Sequence, residues 1–374
     1  MRVIGLTARN FRCYETAEAT LGSALTVVFG HNGAGKTNLL EALYFACTGR
    51  SCRTSNEREV VRFGSSFTRL HLTCGDSAQQ HEISVGFEPG QPKRLQVDGS
   101  PVERLVEVET RPLVSVFLPD RLELIAGPPA LRRGHLDQVA AALWPARRAT
   151  RTSYTSALAQ RNALLSSIRS GRAGRGSLPA WDAELARHGI ALMADRQELV
   201  DRLGPVFQEL ANTLGLQGDA QLRYRPRSKA TTVQGLTDEL SARVTEDLER
   251  GFSSHGPHRD DLVFQRSDRD LRAYGSRGQQ RLALLALLLA EREEIRMTRG
   301  TAPLMLLDDV MSELDADRRI ALCELLLAGG QSVVTTTDLA HVPASDREDV
   351  VRMEIQDCAI HHAFAAGREH EATA

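Results

Sequence analysis

The sequence predicts an α/β fold, a head with a mixed sheet into which a helical arm is inserted. Three observations carry this. A short apolar strand, Leu25-Thr26-Val27-Val28-Phe29, runs into a glycine-rich loop and then a helix-forming stretch from Thr37 to Leu43. A second apolar run, Pro303 to Leu307, ends in Asp308-Asp309 about 270 residues further on. Between them, residues 119–248 are mostly helical by period and by Ala, Leu, Arg and Glu content. Two halves of one head, residues 1–118 and 249–360, therefore flank an arm at 119–248, and a tail at 361–374 is expected to be disordered.

The first half opens with Met1-Arg2-Val3-Ile4, a strand-like start and not a secretion signal. The loop after the first apolar strand reads Gly30-His31-Asn32-Gly33-Ala34-Gly35-Lys36-Thr37, a full match to the phosphate-binding P-loop. Strand, loop and helix N-terminus together aim unpaired amides and the helix dipole at an anion. The chain has only three lysines, Lys36, Lys93 and Lys229, among 46 basic residues, so a lysine here is a choice. A compact ammonium fits a cradle around a β/γ-phosphate where a guanidinium fork does not. Thr37 is the candidate Mg²⁺ ligand, and Asn38 completes the expected ATP-contacting run. Further along, Leu70–Thr73, Glu82–Val85 and Arg94–Val97, with Asp98-Gly99 as a turn, suggest an antiparallel subsheet.

The arm is broken at Gly171-Arg172-Ala173-Gly174-Arg175-Gly176-Ser177, which divides it into two long helices without sustained heptads. Residues 131–175 hold nine arginines against one acid, Asp137. Clustered cations, not net charge, neutralise phosphates, so Arg132, Arg133, Arg147, Arg148 and Arg151 are candidate DNA contacts. A solvated arginine-rich helix face is an equally good account of the run. The absence of an aromatic ladder favours duplex backbone over stacked single strands.

In the second half, Asp308 at a strand end is the candidate Mg²⁺ partner, and Asp309 the group that orients or activates water. Alone, such a strand end is just as readily a helix cap. The preceding Tyr274-Gly275-Ser276-Arg277-Gly278-Gln279-Gln280 places Ser276 and Gln279 at capping-box spacing, so a helix should begin at Ser276 with Leu282–Leu289 as its buried body. By itself this is an ordinary capped helix. Gln331-Ser332-Val333-Val334-Thr335-Thr336-Thr337-Asp338 reads as the next core strand.

Composition bounds these readings. A chain of 374 residues with 42% apolar and 25% charged residues is ordinary for a globular protein of two lobes, and a net charge of −2 confines any basic surface to a local patch. The longest apolar run, Leu282–Ala290, is too short to span a bilayer. Six cysteines without a C-x-x-C pair read as free cytosolic thiols.

The long separation of P-loop and acidic pair resembles ATPases of the ABC/SMC type. Ser276-Arg277-Gly278-Gln279 resembles their signature motif, with Ser276, Gly278 and Gln279 facing a nucleotide held by another subunit, and Ser312-Glu313-Leu314-Asp315 resembles the D-loop. Thr336, Thr337 and Asp338 stand where transporter subunits carry a switch histidine, which argues against that branch. Within the class the chain resembles the RecF family, recombination-repair ATPases of bacteria. Asn10-Phe11-Arg12-Cys13-Tyr14, Phe117–Pro128, Arg132-Arg133-Gly134-His135-Leu136-Asp137, Gly256-Pro257-His258-Arg259-Asp260-Asp261-Leu262 and Asp308–Asp315 follow its motifs in order. Pro119-Asp120-Arg121 departs from the family's Glu-Asp pair, and Asp309 is one methylene shorter than the Glu of the wider class.

The resemblance implies ATP and Mg²⁺ as cofactors, an ATP-dependent homodimer, Arg12 and Asn32 as extra phosphate contacts, and a cytoplasmic protein binding duplex, gapped or junction DNA with RecR and RecO as partners and no membrane. Lys36, Asp308, Asp309 and Ser276 are the expected catalytic set. The alternative is an SMC-type DNA-organising protein with negligible turnover.

Overall fold

The computed structural model describes residues 1–76 and 79–363. Of the tail expected at 361–374, residues 364–374 lie outside them, and the first three residues end a strand. In chain order the strands are β1 (Arg2–Phe11), β2 (Tyr14–Thr20), β3 (Leu25–Phe29), β4 (Thr68–Gly75), β5 (Gln80–Phe87), β6 (Arg94–Val97), β7 (Ser100–Pro101), β8 (Val114–Phe117), β9 (Ala220–Arg225), β10 (Asp261–Arg266), β11 (Arg269–Asp270), β12 (Leu304–Leu307), β13 (Ser332–Thr336), β14 (Val350–Gln356) and β15 (Ala359–Ala363). The helices are α1 (Lys36–Thr48), α2 (Glu123–Ala126), α3 (Pro129–Leu143), α4 (Arg148–Arg169), α5 (Leu178–Thr213), α6 (Val233–Ser241), α7 (Val244–Arg250), α8 (Leu271–Tyr274), α9 (Arg277–Arg299) and α10 (Ala316–Ala328). They form two compact units, residues 1–121 with 295 onward, and residues 122–294.

The first unit contains two six-stranded sheets. One is antiparallel, in the order β2-β1-β4-β5-β6-β7. The other, β15-β14-β3-β13-β12-β8, is parallel except for its edge strand β15. Its strand β12 reads as an unbroken apolar run because both faces are covered, and Leu304–Leu307 is buried throughout. Helix α1 touches strands of both sheets and is buried on nearly every side, through Leu39, Leu40, Ala42, Leu43, Phe45, Ala46 and Cys47. Gln331 ties the sheets at their far end: its side chain accepts from Val3 N at 2.8 Å and donates to the carbonyls of Val3 at 2.6 Å and Gly22 at 2.8 Å.

In the second unit α4 and α5 are joined across the glycine-rich break at 170–177. The chain divides elsewhere than the expected boundary at 248. Residues 249–294 lie in this unit, because β10 pairs with β9 in continuous register from Asp261↔Arg225 to Arg266↔Ala220. Sequence periodicity did not find β9, a six-residue strand that alternates polar residues outward with Leu222 and Tyr224 inward.

The interior of this unit is unusually polar. Arg161 is fully buried and donates to Asp182 at 2.6 Å and to Asp247 and Ser253 at 2.7 Å each. Arg196 grips Asp137 through two nitrogens and the Pro257 carbonyl at 2.8 Å. Arg132 grips Asp261 likewise, at 2.7 and 3.0 Å. The loop Gly256–Asp261 is therefore a hub that α3, α4 and α5 all touch. His258 completes it: Nε2 donates to the Ser253 carbonyl at 3.0 Å, so Nδ1 accepts the Tyr154 hydroxyl at 2.7 Å. Burial pushes this imidazole's pKa down to about 4, which keeps it neutral as that pattern requires.

Candidate phosphate-binding site

The P-loop leaves β3 and enters α1 through three glycines with positive φ, Gly30 at 152°, Gly33 at 84° and Gly35 at 116°. A Cβ on Gly30 would lie 2.2 Å from the Ile355 carbonyl, and one on Gly35 would lie 3.0 Å from both Cys13 Sγ and the Tyr14 hydroxyl, so only glycine fits at either position. The loop is held from two sides. Tyr14 donates to the Gly35 carbonyl at 3.0 Å, and Cys358 N donates to the Ala34 carbonyl at 3.1 Å. His31, Asn32 and Gly33 are left exposed at its crest, while Ala34, Gly35 and Lys36 are buried.

Lys36 is the first residue of α1, and its Nζ donates to the Gly30 carbonyl at 2.7 Å and the His31 carbonyl at 2.9 Å. Burial lowers the ammonium's pKa, and the carboxylates of Asp309 and Asp308 oppose that shift. Lysine and acidic pair thus share one field, as the parallel sheet dictates. β13 lies between β3 and β12, with Thr336 opposite Phe29 and Val334 opposite Leu307. That register sets the residue after β12 beside Thr335 and near the start of α1.

Asp308 accepts from Thr37 Oγ1 at 2.8 Å and from Thr335 Oγ1 at 2.7 Å. Asp309 adopts a positive φ of 46° with its N–H on Thr335 Oγ1 at 2.9 Å. Its Oδ1 is buried and accepts no hydrogen bond among the described residues. A hydroxyl, a carboxylate and a buried unsatisfied carboxylate oxygen are the hard donors a Mg²⁺ ion takes. No group of three or more His, Cys, Asp or Glu that could hold a metal occurs among the described residues.

Thr335 was missed from sequence, where the threonines registered only as a missing histidine. Glu41 was missed as well. This fully buried carboxylate on α1 receives Arg12 at 2.8 and 2.7 Å, Ser51 at 2.5 Å and Arg53 at 3.2 Å. Arg12, expected on phosphate, has its bidentate edge on Glu41, and Asn38 bonds Cys13 Sγ at 3.2 Å and Arg53 at 3.0 Å. A charged residue inside an apolar helix pattern is the signal that could have revealed Glu41.

Ser276 caps α9 reciprocally: Gln279 N donates to its Oγ at 3.3 Å, and its own N donates to Gln279 Oε1 at 2.9 Å. The helix proper starts one residue later than expected, at Arg277, and Ser276 and Gly278 are exposed.

Within the arginine run the structure corrects Arg132 and leaves Arg147 and Arg151 exposed, each beside an acid. Arg132 is buried on Asp261 and the carbonyls of Ile125 and Gly127, and cannot face DNA. Arg133 is half-buried and donates to the Asp260 carbonyl at 2.8 Å. Arg147 pairs with Asp195 at 3.1 Å and Glu198 at 2.6 Å, and Arg151 lies 3.3 Å from Asp137. Arg148 is half-buried. The local count of one acid overlooked the carboxylates that folding brings from other segments.

A family model described as "RecF/RecN/SMC N terminal domain" matches residues 2–360. The chain is 36% identical to the DNA replication and repair protein RecF of Chloroflexus aurantiacus, over 96% of this chain and 98% of that one. It is also 36% identical to that of Myxococcus xanthus, over 95% and 96%. Among solved structures it is similar to the recombination mediator protein RecF-ATP in the RecFOR pathway, with TM-score 0.84 and 26% identity over 97% of both chains. An SMC head bound to the C-terminal winged-helix domain of ScpA shares the fold, with TM-score 0.61 at 15% identity over 98% of this chain and 99% of that one. A P-loop and an acidic strand end brought together across the sheet, with similarity along nearly the whole length, leave one assignment: the chain belongs to the RecF family.

Proposed function

We propose that the chain is an ATP-binding ATPase of DNA replication and repair whose heads dimerise on ATP to hold duplex or gapped DNA. The observation that carries it is the contact of Thr37 with Asp308, which joins P-loop and acidic strand across 271 residues. Relatives named for DNA replication and repair, and a solved relative named as RecF-ATP, support it.

In this reading Lys36 and the amides of Gly33–Thr37 bind the β- and γ-phosphates, with His31, Asn32 and Asn38 flanking them. Thr37 and Asp308 hold Mg²⁺, which when bound neutralises phosphate charge. Asp309 orients the attacking water, and its short side chain makes turnover slow, as suits a switch. Ser276, Gly278 and Gln279 at the α9 cap bind the γ-phosphate held by a second copy, because this exposed helix start has amides beyond the two its capping box engages and a dipole that favours an anion. Arg12 positions α1 through Glu41. RecR and RecO are the expected partners, by resemblance to the RecF family. No helix among the described residues is long and apolar enough to cross a membrane.

Sedimentation with and without Mg-ATP tests this directly. Wild type should shift from monomer to dimer, and Ser276→Arg should bind ATP without shifting. A wild type that binds ATP but stays monomeric would leave Ser276 a helix cap only. The SMC-type alternative with negligible turnover is separated by Asp309→Asn: equal phosphate release by mutant and wild type would remove Asp309 from the chemistry.

A further inference from the structure

The stretch Arg223-Tyr224-Arg225-Pro226-Arg227-Ser228-Lys229 carries four cations in seven residues and no acid. β9 turns Leu222 and Tyr224 inward and leaves Arg223 and Arg225 exposed, and Arg227 and Lys229 follow, also exposed. Arg223 is engaged by Gln221 and lies 3.9 Å from Asp268, so the free charge gathers at the other end of the strand.

Folding adds to it there. Arg225 is the register partner of Asp261, and Arg227 N donates to Asp260 Oδ1 at 2.7 Å. Arg133 donates to the Asp260 carbonyl, and Arg259 is the adjoining residue. Burial lowers the pKa of Arg133, and Arg196 and Arg259 push it the same way.

The two acids at the centre are already committed. Asp260 is fully buried and receives Arg196, Tyr224 and the Arg227 amide. Asp261 is gripped by Arg132 through two nitrogens. Among the described residues no carboxylate pairs with Arg225, Arg227, Lys229 or Arg259. The Arg259 guanidinium lies 5.6 Å over the ring of Phe252, itself 41% exposed. One aromatic already covered by a cation is no stacking ladder.

We propose that this corner, formed by Arg225, Arg227, Lys229 and Arg259 and backed by Arg133, is the surface that contacts the phosphate backbone of duplex DNA. It rests on the DNA-binding reading above and gives it a location. The cations stand on a strand end fixed by buried hydrogen bonds, so little order is lost when they engage phosphates. Unpaired and exposed, each releases a counterion from DNA, which the acid-paired Arg147 and Arg151 do less well.

The test is fluorescence anisotropy of the full-length protein with Mg-ATP on duplex DNA across a salt series. The variant Arg225→Gln/Arg227→Gln/Lys229→Gln leaves the Arg227 amide and all buried contacts in place. It should weaken binding at least about ten-fold and lower the slope of log affinity against log salt by about 2.7, three contacts' worth. Arg225→Lys/Arg227→Lys should keep the wild-type slope, and Arg147→Gln/Arg148→Gln/Arg151→Gln should lower it less. A triple variant that matches wild type overturns this surface and leaves DNA binding standing. A wild type that binds ATP but no duplex overturns the DNA-binding reading itself. If the triple variant loses ATP binding as well, Arg225→Gln and Lys229→Gln singly decide, each lowering the slope by about 0.9 or leaving it unchanged.

Discussion

Replacing Thr335 by valine should damage stability and turnover together. Thr335 is fully buried on β13, and its single hydroxyl serves both acids, donating to Asp308 Oδ1 at 2.7 Å and accepting from Asp309 N at 2.9 Å. Valine keeps the shape and removes both bonds. The bond to the carboxylate is worth about 1.5–3 kcal/mol, and an unpaired buried amide costs about 1–3 kcal/mol. Since one atom makes both contacts, about 3 kcal/mol in all is the expected loss. For a unit of about 200 residues this is a fall in Tm of about 6–12 °C. Thr335→Ser keeps the hydroxyl and should lose only about 1 kcal/mol for the missing methyl. The functional readout is steady-state phosphate release beside ATP affinity. Turnover should fall more than affinity, because Asp308 loses one of its two hydroxyl partners and the left-handed backbone of Asp309 loses its anchor. A valine variant that melts with wild type and turns over normally would refute this account.

Three further outcomes are expected. Lys36→Arg should abolish ATP binding by equilibrium dialysis without lowering Tm by more than about 5 °C, since the pocket between the Gly30 and His31 carbonyls admits an ammonium and not a planar fork. His258 has a folded pKa of about 4, below the ordinary histidine value near 6.5. The unfolded chain therefore takes up a proton that the folded chain refuses. The stability this group gives is fully present above about pH 6.5 and is lost as pH falls towards 4, by up to about 3 kcal/mol. Urea midpoints measured at several pH values in that window should fall less steeply for His258→Gln. Arg161→Met should destabilise the second unit by about 3–5 kcal/mol, because Asp182 and Asp247 are left charged and buried; adding Asp182→Asn and Asp247→Asn should recover part of it in thermal melts.

The P-loop and the acidic strand were legible because each is a local pattern with a physical cause: glycines where φ must be positive, and an unbroken apolar run where both sheet faces are covered. The antiparallel strands at 68–97 and the break between α4 and α5 were legible for the same reason. Thr335 was not, because its role depends on a three-strand register that no local pattern encodes. Glu41, a charge inside an apolar helix pattern, shows that a partner is needed but not that Arg12, Ser51 and Arg53 supply it. The boundary at 248 differs from the observed division because the partner of β10 is a short arginine-rich strand whose inward residues, Ala220, Leu222 and Tyr224, are too few and too mixed to show a period.

Positive charge shows most clearly where sequence counting stops being informative. Nine arginines between 131 and 175 outnumber the four cations between 223 and 229. Folding narrows the difference, because Arg132, Arg147, Arg151 and Arg161 all meet acids. Arg132 and Arg161 each stay buried because carboxylates from β10, α5 and α7 meet them, since an unpaired charge in the interior costs about 3–5 kcal/mol, a large share of a domain's margin of stability. The same requirement draws Asp260 and Asp261 inward to Arg196 and Arg132, and so leaves the cations around them without partners. The second unit's basic surface is in this sense a product of its ionic core: the acids that would have neutralised it are held inside. Charge-reversal scanning of duplex binding across both stretches should accordingly follow the number of unpaired cations removed, and a loss that instead followed the total number of arginines removed, paired or not, would contradict the link between core and surface.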